Sequence, residues 1–123
     1  MASTDGNPAA APPPPDWMRV ATSRLVLVAL PAAALRAVAE GRLDAAGQIA
    51  GCDLRPFPEE ERAIAEIRCR DLERDPEYLP WSLRAICLKR DLRLVGHFNF
   101  HTAPDPDYLR DLAPGAVELG YYI

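Results

Sequence analysis

Leu92-Arg93-Leu94-Val95-Gly96-His97-Phe98-Asn99-Phe100-His101 and Ala116-Val117-Glu118-Leu119-Gly120-Tyr121-Tyr122-Ile123 are two runs in which apolar and polar side chains alternate, and their reading decides the fold. Successive side chains of a strand point to opposite faces, so both runs read as strands. In the first run Leu94, Phe98 and Phe100 fall on one face and His97, Asn99 and His101 on the other. The expectation is a wall with an apolar back and a polar front. Glu118, between Val117 and Leu119, joins that front as a single carboxylate on the last strand, and a Pro/Asp-rich connection separates the two runs.

Immediately upstream, Leu83 to Lys89 forms a third apolar run, and the interval Arg90-Asp91 reads as a tight hairpin, although it lacks the favoured Asn-Gly or Asp-Gly chemistry. Before it, Pro58 followed by Glu59-Glu60-Glu61 starts the clearest helix, because proline at the first position and acids in the first turn suit the positive end of the helix dipole. Ile64, Ile67 and Leu72 give that helix one apolar stripe, its alternating Glu and Arg a solvated face, and Pro76 its end. Further back, Ser23 to Leu30 reads as a buried first strand stopped by Pro31, then come a helix through Leu35, Val38 and Ala39 with exit at Gly41, and a second short helix over Asp44 to Ala50 ending at Gly51. Pro8 and the run Pro12 to Pro15 mark residues 1–21 as a flexible Pro/Ala-rich tail, with residues 22–123 as the single domain. The expected class is α+β, with coarse order β-α-α-β-β-β and mainly antiparallel strands.

The totals narrow the function classes. A net charge of -4 gives no chain-wide attraction to nucleic acid or to an anionic membrane surface. No segment approaches the roughly 20 apolar residues that cross a bilayer, and the start lacks the basic and apolar regions of a secretion signal. Cys52, Cys69 and Cys87 are odd in number and widely spaced, which suggests neither a disulfide framework nor a thiolate zinc site, and fits a cytoplasmic setting. His97 and His101 are about 13 Å apart on a regular strand, too far to share one metal ion, so no metal site is expected. They read as hydrogen-bonding residues on a sheet face or, more sharply, one of them as a proton-transfer group. Glu118 is singled out because a carboxylate held beside apolar surface has a raised pKa and can serve as a general base; the plainer reading is an edge-strand glutamate. Gly120 inside a strand suggests a bulge or a close backbone approach.

Arg24-Leu25-Val26-Leu27 at the start of the domain, Trp81 and Arg84-Ala85-Ile86 before the third run, Leu94-Val95-Gly96-His97 and Glu118-Leu119-Gly120-Tyr121 come in an order that resembles the N-terminal half of a GNAT-type N-acetyltransferase. Within that superfamily the chain is most similar to the branch that acetylates ribosomal-protein N-termini and related amines. The resemblance implies that acetyl-CoA donates its acetyl group to a small-molecule amine or a protein N-terminus. It further implies that the backbone of Leu119, Gly120, Tyr121, Tyr122 and Ile123 lines the acetyl and pantetheine path, that Glu118 is the candidate base, and that His97, Asn99 and His101 face the substrate. It places an Arg/Gln-x-x-Gly-x-Gly/Ala loop after Ile123, where backbone N–H groups at a helix start would hold the cofactor pyrophosphate. Without that loop the 123 residues are expected to bind acetyl-CoA poorly. The alternative, from another class, is a non-catalytic interaction module or one half of a split enzyme, self-associating or meeting a second chain through the last strand.

Overall fold

The computed structural model describes residues 15–101, 106–116 and 118–123. These residues form a mixed α+β fold with one antiparallel sheet of five strands in the order β1-β2-β3-β4-β5. The strands are β1 (Arg19–Ala21), β2 (Leu25–Ala29), β3 (Arg84–Leu88), β4 (Leu94–Phe100) and β5 (Leu119–Tyr122). Between β2 and β3 lie α1 (Ala32–Ala39), α2 (Leu43–Ala50) and α3 (Arg62–Arg74), and a single turn, α4 (Asp107–Arg110), precedes β5.

The helices form as their end signals dictate. Pro31 stands at the cap of α1 with extended backbone, and Gly51 closes α2 at φ 77°, a left-handed conformation that costs glycine little. The acids Glu59–Glu61 make a separate 3-10 turn that leads into α3. On α3 the buried positions are Ala65, Cys69 and Leu72, spaced so that one face meets α1, whereas Ile67 is half exposed and leaves the expected stripe. The core lies between this helical layer and one face of the sheet. Leu30, Leu35, Leu54 and Leu83 are completely enclosed in it, each such side chain being worth about 1.5–3 kcal/mol relative to exposure. Cys52, Cys69 and Cys87 are buried and free.

Two boundaries differ from the sequence reading. Asp16–Met18 forms a 3-10 turn and Arg19–Ala21 pairs with Val26–Val28, so the ordered domain starts before residue 22. All three β1 residues are exposed, which is why hydrophobic periodicity gave no sign of them. The β3–β4 connection is wider than a two-residue hairpin: Leu88 N–H donates to Arg93 O, Leu92 adopts φ 60°, and Arg93 N–H is received by the Asp91 carboxylate. Arg93 and Leu92 are held there by Asp53, whose strand-like bridge to Arg93 closes the sheet end.

The most consequential difference is in β4. Cys87 pairs with Leu94 but Ile86 pairs with Gly96, so Val95 is an extra residue and the alternation changes phase. Leu94 therefore shares the helix-covered face with His97 and Asn99, and is buried there, while Phe98 and Phe100 lie on the other face. No α-helix among the described residues lies over that second face, although Trp17 and Trp81 cover its end at Arg84 and Phe100. The face presents Val20, Leu27, Ile86, Phe98, Leu119 and Tyr121, of which Val20, Leu119 and Tyr121 are exposed. The wall thus has its polar histidine and asparagine inside and its aromatic residues outside, the reverse of the expected arrangement.

Candidate functional site

The pairing of β4 with β5 brings the two opening runs side by side, from Phe100 against Leu119 to His97 against Tyr122. Backbone contact extends one step further, His101 N–H donating to Glu118 O at 2.7 Å. Val117 lies outside the described residues, and Glu118 stands just before the strand rather than within it.

His97, Asn99 and His101 do share one face, but they do not form one open front. Asn99 is buried, and its Oδ1 accepts from Arg68 Nε of α3 at 3.0 Å; Arg68 in turn donates to Asp71 at 2.9 Å and lies over the Tyr78 ring. Tyr78 donates its hydroxyl proton to Phe100 O. These bonds make Asn99 a tie between sheet and helix, in keeping with the rule that buried polar groups are hydrogen-bonded. His101 lies at the exposed end of the strand with Nδ1 3.3 Å from Glu118 Oε1.

Glu118 itself is half exposed and receives the Tyr108 hydroxyl. That hydrogen bond, together with the one from His101, draws its carboxyl below the usual range. The surroundings that would raise its pKa are absent, so the reason for choosing it as a general base does not hold: a hydrogen-bonded, solvated carboxylate is a weaker proton acceptor.

His97 is the unusual member. It is 3% exposed, and its ring is sandwiched between Phe57 at 5.1 Å and Tyr122 at 5.5 Å, each within 9° of parallel. Glu61 Oε1 lies 3.3 Å from Nε2, within ion-pair distance but out of line for a hydrogen bond, and neither ring nitrogen has a hydrogen-bond partner. A buried polar atom left unpartnered costs about 1–3 kcal/mol, so such an arrangement calls for an explanation. Burial holds the imidazole below the ordinary histidine range, with Glu61 pulling the other way. A cavity of about 260 Å³ adjoins it, lined by Pro56, Pro58, Leu94, Val95, Gly96, His97, Tyr122 and Ile123.

Gly96 is required for this closeness, since a Cβ there would stand 2.6 Å from Tyr122 O. A Cβ on Gly120 would meet side-chain atoms instead, His101 Nε2 at 2.9 Å and Asn99 Nδ2 at 3.6 Å. The close approach expected at Gly120 is therefore sharper at Gly96. Leu119 and Tyr121 face the uncovered side and Tyr122 the helix side, while β5 as the last strand leaves one of its two rows of backbone N–H and C=O groups without a strand partner in the described sheet. Glu61, Phe57, Arg68 and Tyr108 did not emerge from the sequence as site residues. For Glu61 and Phe57 the available signal was the Pro-Phe-Pro-Glu-Glu-Glu run, which speaks first of a helix start. Among the described residues no group of three or more metal-ligating side chains occurs, and no helix is long and apolar enough to cross a membrane.

No family model, no curated protein and no solved structure matches the chain.

Proposed function

We propose that the chain is the N-terminal half of an acetyl-CoA-dependent N-acetyltransferase of the GNAT type, acting on an amine. The observation that carries this reading is the β4–β5 pair, which sets Leu94-Val95-Gly96-His97 beside Glu118-Leu119-Gly120-Tyr121 with a free row of backbone groups on β5. A strand edge of this kind suits the amide-bearing arm of coenzyme A, which can take the place of a further strand by hydrogen-bonding to it. The row of β5 that has no strand partner in the described sheet supports placing that arm along Leu119–Ile123; the pyrophosphate is assigned to the Gly-rich loop that the family resemblance puts after this strand. When bound, the coenzyme supplies the activated acetyl group. The chain's own part is to align the arm along Leu119–Ile123 and to receive the amine beside it. Calorimetric titration with acetyl-CoA tests this: the 123 residues should give little or no heat, and the same chain continued through a Gly-rich loop and helix should bind. Absence of binding by the continued chain would refute the reading.

A second reading has its own observation. The uncovered face with Leu119, Tyr121 and Ile123 exposed is apolar and ends on an open strand edge, and such surfaces invite strand addition or sheet covering. On this reading the chain is an interaction module that meets a second chain or its own copy there. Light scattering should then find self-association that Tyr121→Arg abolishes, and a strictly monomeric wild-type chain would overturn it.

A further inference from the structure

The free thiols of Cys52 and Cys87 meet inside the core, although the two residues are far apart in the chain. Their side chains are in hydrogen-bonding contact. The backbone fixes both partners in place. Cys52 follows the left-handed Gly51 that ends α2; its N–H donates to Gly47 O at 3.2 Å, and its carbonyl lies so near Gly47 that a Cβ there would stand 2.6 Å away. The next residue, Asp53, is clamped to the start of β4, its N–H donating to Leu92 O at 2.9 Å and its carbonyl accepting from Leu94 N–H at 3.0 Å. Cys87 sits in β3 between Val26 and Leu94, where the bulge begins. Cys69, on α3, has a different partner: its thiol donates to Ala32 O at 3.5 Å.

The two members of the pair differ in access and in charge. Cys87 is 0% exposed, whereas Cys52 is 8% exposed and lines an open groove of about 510 Å³ with Gly47, Gln48, Asp53, Asp91 and Leu92. The Arg19 guanidinium stands beside Cys52, its Nη1 donating to Gly51 O at 3.2 Å. The hydrogen bond from Cys87, helped by Arg19, draws the Cys52 thiol below the ordinary thiol range against burial and Asp53. The same hydrogen bond, with burial, pushes Cys87 above that range. Since the thiolate is the nucleophile, the accessible member of the pair is also the reactive one.

We infer that Cys52 and Cys87 form a peroxide-reactive dithiol, in which Cys52 is oxidised first and Cys87 resolves it to an intramolecular disulfide. The Cys52 sulfur attacks one peroxide oxygen, the O–O bond breaks, and the hydroxide that leaves takes up the thiol proton as water. Cys52 is then a sulfenic acid. The Cys87 sulfur attacks the Cys52 sulfur, the S–O bond breaks, and the leaving hydroxide takes the Cys87 proton as a second water. Two thiols lose two electrons, and one hydrogen peroxide is reduced to two waters. The new bond closes residues 53–86 into a loop and ties the segment that carries Asp53 to β3 as well as to β4. This site is independent of the acetyl-transfer reading.

The test is treatment of the folded 123-residue chain with hydrogen peroxide at neutral pH, followed by alkylation of the remaining thiols in denaturant and peptide mapping by mass spectrometry. One linked pair, Cys52 with Cys87, should appear while Cys69 is alkylated, and dithiothreitol should restore all three thiols. The chain unfolded in guanidinium before treatment is the comparison, because there all three pairings compete. In Cys87→Ala dimedone should label Cys52 as its sulfenic acid, and in Cys52→Ala the oxidation of Cys87 should slow by about tenfold or more. The inference fails if peroxide leaves Cys52 and Cys87 reduced in the folded chain, or if the folded and unfolded chains give the same mixture of pairings. It fails too if dimedone labels Cys87 in Cys52→Ala as fast as it labels Cys52 in Cys87→Ala. The linkage map of the wild-type chain decides the matter even where a variant does not fold.

Discussion

Replacing Gly96 by alanine isolates the closest contact in the β4–β5 pair. The new Cβ would meet Tyr122 O at 2.6 Å, Ile123 Cα at 3.2 Å and Ile123 Cγ1 at 3.3 Å. The first of these is backbone and cannot swing away, so the strands must separate by several tenths of an ångström to restore ordinary contact. Overpacking of this kind costs about 1–3 kcal/mol, and it is opposed by the roughly 0.5–1 kcal/mol that alanine gains over glycine inside a strand. A net loss on the order of 1–2 kcal/mol follows from those two terms. Gly120→Ala is the internal comparison, because its Cβ meets the movable end of His101 rather than backbone; its net change should be within about 0.5 kcal/mol of zero. Guanidinium unfolding of the two variants, with amide NMR shifts as the local probe, makes the measurement. Gly96→Ala should displace signals of residues 94–98 and 119–123 and lower the midpoint. Equal stability of Gly96→Ala and Gly120→Ala, with Tyr122 undisturbed, would refute the argument that β5 is seated on Gly96.

Arg68→Met removes the donor that satisfies Asn99 in the interior, and should destabilise by about 1–3 kcal/mol; the double variant Arg68→Met with Asn99→Leu should recover part of that loss, and strict additivity in denaturant unfolding would contradict the tie. For His97, whose folded-state pKa is depressed by burial, the unfolded chain takes up the proton first as pH falls. The stability that neutral His97 contributes is therefore complete above the unfolded value near 6.5 and is lost as pH drops from there toward the lower folded value. The charged group acting on it is Glu61 from the turn before α3, with Phe57 and Tyr122 covering its two faces. Melting curves should show wild-type stability falling over that window and His97→Gln falling less; parallel curves would refute it.

The fold class was legible because its signals are local. Pro31, Gly41, Gly51 and Pro58 stand where the helices start or end, and the apolar runs of β2, β3 and β4 stand where the strands pair. What misled was phase. A single extra residue at Val95 reverses every side chain on one side of it, and a bulge leaves no mark in an alternating pattern. For this reason His97 and Asn99 were expected on an open front and are found under the helices, each with a partner or ring stack contributed by a distant segment. Arg68 and Glu61 belong to a helix and turn whose charges looked like a solvated face, and nothing in their spacing indicates that one guanidinium reaches across to Asn99. β1 was missed for the opposite reason, since a short edge strand with no buried residue has no hydrophobic pattern to find. The α4 turn is four residues long inside a Pro/Asp-rich stretch that reads as a connection.

Acetyl transfer from acetyl-CoA to alaninamide, followed by mass spectrometry of the amide and by release of the coenzyme thiol, is the most direct test of the proposed role. The chain continued through the Gly-rich loop and helix should form N-acetylalaninamide and free thiol in equal amounts. No product from the continued chain, under conditions where it is folded and saturated with both compounds, would contradict the account.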